Sequence, residues 1–224
     1  MVIPLGRTVA ALGVVGLFLF SGPTWTIAAD GPVASLPASS SPASSIEQAL
    51  TQVTSEDESV REAAIRLLIE QGDASLVPRL EEIRANADRS IRQALKPLMD
   101  LLKNRAKLAS PDSDVRRSAA TDLGSSGNPS VIPWLDAARV NESNKWVRYT
   151  MEESVALIKL VSDDPSIKAA AAERLGELGS QNGVPVLKQL VEAGAGAEAT
   201  EQQKTVAKAA GAAIKRIETW GAWS

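Results

Sequence analysis

The sequence predicts an all-α fold, a short α-solenoid of three three-helix repeats behind an N-terminal capping helix. Three observations carry that expectation. Three stretches repeat the same residue types at the same offsets from branched anchors at Val60, Val115 and Ile167. Within each stretch the apolar residues recur at helical spacing, and cap and turn residues fall where those apolar runs begin and end. Self-similarity of this kind marks stacked supersecondary units, which mostly bind rather than catalyse.

The elements follow in chain order. Residues 46–53 resemble the end of one further third helix and would cap the stack. In each repeat Asp57, Asp112 or Asp164 stands three residues before the anchor as an N-cap, and Pro165 follows Asp164 where a missing N–H costs least. The anchor, Ala64, Ala119 or Ala171 at plus four, and Leu68, Leu123 or Leu175 at plus eight form one stripe of helix A. Gly72, Gly127 and Gly179 are expected to end helix A in the left-handed conformation. Ser75, Ser130 and Asn182 are then the N-cap candidates for helix B, with Pro78, Pro133 and Pro185 in its first turn. The buried stripe of helix B reads Val77, Leu80, Ile83, with equivalents in the other copies. Helix C is aligned by Ile91, Leu95, Met99, Leu102; by Val147, Met151, Val155, Ile158; and by Val206, Ala210, Ile214, Ile217. The period, 55 and then 52 residues, exceeds the about 40–47 of two-helix units. About ten helices and no strands are expected. Only the third copy carries an insertion, residues 192–200, where Gly194 and Gly196 favour a mobile surface loop.

Composition narrows the chemistry. The 224 residues carry a formal charge of -3 and contain no Cys and no His. Thiol chemistry, imidazole acid-base work and the commonest transition-metal ligands are thereby excluded, and the charge gives no preference for nucleic acid. Ahead of the repeats, Arg7 precedes an apolar run of about a dozen residues, short of the roughly 20 needed to span a bilayer. Small residues follow, so residues 1–29 read as a secretory signal peptide. Residues 30–45, rich in Pro, Ala and Ser, read as a flexible linker, and residues 46–224 as the helical domain.

No catalytic constellation, cofactor motif or metal-spaced cluster is visible. The basic positions Arg61, Arg116 and Lys168, with Arg92 and Arg148 on helix C, could form a row of cations. Their simpler reading is pairing with acids at neighbouring helix N-termini, which would tie one repeat to the next. Adjacent acids such as Glu81 with Glu82 and Glu152 with Glu153 point about 100° apart on a helix and read as solvated surface. The candidate interaction residues are those that do not repeat. They are Trp134, Trp146 and Tyr149 in the middle copy, Gly194 and Gly196 in the insertion, and Trp220 and Trp223 at the C-terminus. The first two indoles could be packed between helices or exposed as anchors, and the last two suit a membrane-surface contact.

The register D-x-x-V-R-x-x-A-x-x-x-L-x-x-x-G resembles HEAT repeats, including the short form of bilin-lyase-like proteins. A narrower likeness rests on L-A-S-P-D-S-D-V-R-R-S-A-A at residues 108–120, L-G-S-S-G-N-P-S-V-I-P-W-L at 123–135 and A-I-K-R-I-E-T-W at 213–220. With the signal, these resemble the extracytoplasmic N-terminal region of urea-type ABC transporter permease subunits, related to branched-chain amino-acid permeases. That resemblance covers residues 46–220. It implies a periplasmic or membrane-associated, non-catalytic docking domain without a cofactor, whose partners are the permease or the substrate-binding protein. It carries over no site residue. The alternatives are a freestanding secreted HEAT adaptor and a bilin-lyase-like protein.

Overall fold

An aspartate opens helix A in every copy, because its carboxylate accepts backbone N–H groups that the first helical turn leaves without partners. Asp57 accepts from the Ser59 N–H at 2.9 Å, Asp112 from Asp114 at 2.8 Å, and Asp164 from Ser166 at 2.7 Å. The structure, a computed structural model, describes residues 42–221. The expected signal peptide, residues 30–41 of the expected linker and Trp223 lie outside the described residues.

The described residues form an all-α fold without strands. It begins with α1 (Pro42–Gln52). The order helix A, helix B, helix C then recurs three times. The first set is α2 (Glu58–Gln71), α3 (Val77–Asn86) and α4 (Arg89–Lys107); the second is α5 (Ser113–Ser125), α6 (Ile132–Val140) and α7 (Lys145–Leu160). The third is α8 (Pro165–Leu178), α9 (Val184–Ala195) and α10 (Glu201–Gly221). A 3-10 turn joins A to B each time, at Ala74–Leu76, Pro129–Val131 and Gln181–Gly183. Residues 42–45, read from the sequence as the end of the linker, are helical, with Pro42 first in the helix.

Those 3-10 turns correct the expected caps of helix B. Asp73, Asn128 and Ser180 cap the turns, accepting from the N–H groups of Ser75, Ser130 and Gly183 at 2.8, 2.9 and 3.1 Å. Ser75 and Ser130 are therefore donors, not caps, and Asn182 lies within the third turn. Helix B itself starts without a side-chain cap, and its proline sits in the first turn. Gly72 is a second correction. Gly127 and Gly179 adopt left-handed φ values of 63° and 66°, but Gly72 is extended at φ -78° and ψ 164°. It is buried where a Cβ would lie 2.7 Å from Leu76 Cδ1. Third, the anchors are not core: Val115 and Ile167 are 36% and 41% exposed, while Ala119, Leu123, Ala171 and Leu175 are buried. Anchors three residues past the cap still lie in the first turn, ahead of the helix–helix contact.

Packing follows a simple order. Helix A packs on helix C of its own set, and α4 and α7 also pack on α5 and α8, the next helix A. Each helix B lies mainly on its own helix C, and α1 lies on α2. Consequently α7 is buried on two sides. Val155 and Ile158 belong to an apolar cluster shared with α1–α6, whereas Ala156 and Leu160 belong to a second one shared with α8 to α10. In the second and third sets A meets C closely at small residues. A Cβ on Gly124 would lie 2.5 Å from Ser154 Oγ, and one on Gly176 would lie 2.8 Å from Ala213 Cα. The same register positions in the first set hold Ile69 and Leu98, both buried, and α2 shares a smaller interface with α4 than α5 does with α7.

The third set also departs from expectation at its insertion. Gly194 belongs to α9 and fits against Ala207 and the Gln203 carbonyl of α10, which leave no room for a Cβ. The loop is only residues 196–200, and it closes through a capping box. The Gln203 N–H donates to Thr200 Oγ1 at 3.2 Å and the Thr200 N–H to Gln203 Oε1 at 2.8 Å.

Gly176→Val is expected to destabilise the fold by about 2–3 kcal/mol, because backbone of α10 occupies the space that the side chain needs. Gly196→Ala, at φ -65° with open space around it, should stay within about 0.5 kcal/mol of the parent. Urea-unfolding midpoints of the two variants test the contrast.

Candidate interaction surface

The repeated arginines serve the backbone. Arg61 Nη1 donates to the Ser55 carbonyl at 2.8 Å, Arg116 Nη1 to Ser110 at 2.7 Å and Arg148 Nη1 to Glu142 at 2.9 Å, each six residues upstream. Each guanidinium thus closes the loop that leads into its own helix. Arg116 also holds Glu142 with two bonds of 2.6 and 2.9 Å, and the Glu142 carboxylate accepts the Asn144 N–H at 2.8 Å. The Arg116–Glu142 pair therefore ties helix A to the B–C loop within one set, not one repeat to the next as expected. Contact between sets comes from other residues. Glu152 of α7 is held by Arg139 of α6 at 3.0 Å and by Arg174 of α8. Arg105 of α4 donates to the Gly72 carbonyl and covers the Trp134 ring at 4.7 Å.

The expected interaction residues scatter. Trp134 is buried beneath Arg105 beside a cleft of about 600 Å³, so it is a packing residue. Trp220 is 63% exposed on the last turn of α10, where its ring stands over Gly179. Gly194 packs between helices, and Gly196 stands in open space. Only Trp146 and Tyr149 come together. They line a cleft of about 350 Å³ between α5, α7 and the Gln181–Gly183 turn. Trp146 is 61% exposed, with Lys145 Nζ 5.1 Å from its ring centroid.

The floor of this cleft is Glu153, which the sequence reading placed on solvated surface. It is only 6% exposed. Its Oε1 accepts from Ser180 Oγ at 2.6 Å and from the Tyr149 hydroxyl at 3.2 Å, and its Oε2 accepts from Asn182 Nδ2 at 3.1 Å. Burial, reinforced by the adjacent Glu153 charge, pushes the Tyr149 phenol up to about 12. Tyr149 therefore remains a proton donor at any ordinary pH. A signal for Glu153 existed in the register. The equivalent positions of α4 and α10 are Pro97 and Ala212, and those of Tyr149 are Gln93 and Lys208, so the Tyr149–Glu153 pair has no counterpart in the other sets. Chemically, the arrangement is a fixed carboxylate below an exposed aromatic wall. No group of three or more His, Cys, Asp or Glu side chains able to hold a metal occurs among the described residues. Neither a family model nor a curated protein sequence matches this chain.

Trp134→Ala should cost about 3 kcal/mol in a denaturant titration, while Trp146→Ala should cost less than about 0.5 kcal/mol, separating packing from surface. A pH series tests the loop ion pair. Arg116, helped by the Asn144 N–H, holds the Glu142 carboxyl below its ordinary range despite burial. A depressed folded value means that the contribution is complete above the unfolded pKa and is lost as pH falls through the folded one. Glu142→Gln is therefore expected to flatten the acid limb of stability below the ordinary glutamate pKa.

Proposed function

We propose that this chain is a short HEAT-like α-solenoid that works as a non-catalytic docking domain outside the cytoplasm, associated with a urea-type ABC transporter permease. The carrying observation is the division of labour among its residues. Those that recur cap helices, close loops or fill the core, whereas Trp146, Tyr149 and Glu153, which have no counterparts in the other copies, line one open cleft. In a stacked array each unit contacts only its neighbours, so a site built where the middle unit meets the third is displayed on an otherwise regular scaffold. Binding is what such a display suits, since exposed tryptophan and half-buried tyrosine are the residues that dominate protein interfaces.

The transporter association rests on the resemblance of residues 46–220 to the extracytoplasmic region of those permeases. The secretory character of residues 1–29 fits the same side of the membrane. Among the described residues no helix is long and apolar enough to cross a bilayer, so the described helices would stand beside a membrane component and not within it. The partner is then the permease or its substrate-binding protein.

Site-specific cross-linking tests this. A photoreactive residue in place of Ser118, exposed at the rim of the cleft, should join the chain in cells to a permease or substrate-binding subunit. The same residue in place of Lys188, exposed on α9, should not. Failure to join any transporter subunit from position 118 would sink the association.

A further inference from the structure

The cleft floor differs from the other shielded acids in one respect. Glu142 is neutralised by Arg116, and Glu152 by Arg139 and Arg174. Glu153 is as buried as Glu142, yet all three of its hydrogen bonds come from neutral donors, and it takes part in no ion pair among the described residues. A buried carboxylate without a counter-charge is costly, and a cation arriving beside it recovers that cost. A carboxylate offers about four acceptor positions; Oε1 uses two and Oε2 one, so Oε2 keeps a position for a further donor.

The walls have the same character. Thr121 Oγ1 donates to the Arg117 carbonyl at 3.2 Å, and Thr150 Oγ1 to the Trp146 carbonyl at 3.0 Å. Both hydroxyls spend their only proton on their own helix, which leaves lone pairs for a ligand. Asn182 likewise directs its amide nitrogen to Glu153, leaving its carbonyl oxygen as an acceptor. Of the residues lining the cleft the one cation is Arg117, which Asp114 pairs at 3.1 Å, so Glu153 is the lining charge without an ionic partner, and Lys145 stands outside the lining, over the Trp146 ring. Trp146 adds an exposed π face that already attracts an ammonium, that of Lys145.

A ligand for such a site carries a positive charge, many donors, no acceptor and a flat shape. The guanidinium group has five N–H donors in one plane and stacks on aromatic rings, whereas an ammonium has three donors and no plane. We propose that the cleft between α5, α7 and the Gln181–Gly183 turn receives an arginine side chain presented by the protein partner. That the arginine belongs to a protein rests on the docking reading; the preference for guanidinium does not.

Nuclear magnetic resonance titration of the full chain tests the pocket. The signals followed are the Trp146 indole N–H and the Asn182 side-chain amide, and the probes are the blocked amino acids N-acetyl-arginine amide, N-acetyl-lysine amide and N-acetyl-citrulline amide. The arginine probe should shift both signals saturably and bind about tenfold more tightly than the lysine probe. The uncharged citrulline probe should give no saturable shift. Glu153→Gln and Trp146→Ala should each weaken the arginine probe by about tenfold. If Glu153→Gln unfolds the chain, Trp146→Ala decides, because that ring is exposed. Equal binding of citrulline, no saturation by arginine, or unchanged binding by Trp146→Ala would overturn the proposal. An arginine-specific pocket in a chain that cross-links to no transporter subunit would keep the pocket and remove the docking reading. Cross-linking without arginine binding would do the reverse.

Discussion

Where helix A crosses helix C, the separation of their backbones is set by which atoms meet at the crossing, and most of the remaining geometry inherits that distance. Gly124 lies against Ser154 and Gly176 against Ala213, so the backbones approach until van der Waals contact stops them. Ser154, deep in the crossing, satisfies its hydroxyl by donating to the Ala120 carbonyl at 2.8 Å, as a buried polar group must. With Ser154 fixed against α5, its neighbour Glu153 turns toward the next set, where Ser180 and Asn182 meet it. The cleft is thus a by-product of a tight crossing followed by one residue of helical rotation.

Electrostatics in this fold is mostly local. Three arginines of the cationic row, Arg61, Arg116 and Arg148, fold back on carbonyls six residues upstream. Their spacing from the capping Asp57, Asp112 or Asn144 puts each of them one turn into the helix, within reach of the loop just passed. Such pairing stiffens the entrances of helices. The Glu153 carboxylate differs in having neutral donors alone, and it lies beside Trp146 and Tyr149.

Helix starts and the core stripe of helix C were legible because both depend on short-range rules: a carboxylate two or three residues ahead of orphan N–H groups, and apolar residues every turn. The caps of the 3-10 turns were legible too, since Asp73, Asn128 and Ser180 share one offset; the serine two places later in two copies is an equally good cap by composition and drew the assignment away. Gly72 aligned with two left-handed glycines but is extended, held close to the Leu68 carbonyl and the Leu76 side chain, which leave no room for a Cβ. The Thr200–Gln203 capping box is masked in the sequence by Gly194 and Gly196, although one of them sits inside a helix. Glu153 is the instructive case. Its partners Ser180 and Asn182 lie 27 and 29 residues away, so only the absence of an acid from the matching places, Pro97 and Ala212, marked it beforehand.

The Ile69 and Leu98 pair at the first crossing has a dynamic consequence. Bulkier residues there replace the glycine contact of the later sets, and α2 and α4 share the smaller interface. Local opening takes place where the fewest contacts must be broken. Amide protons of α1 to α3 would therefore exchange with solvent ahead of those in α7, α8 and α10, and unfolding under heat or force would travel from the N-terminal end inward. The cleft on α7 would keep its shape through the early part of that sequence.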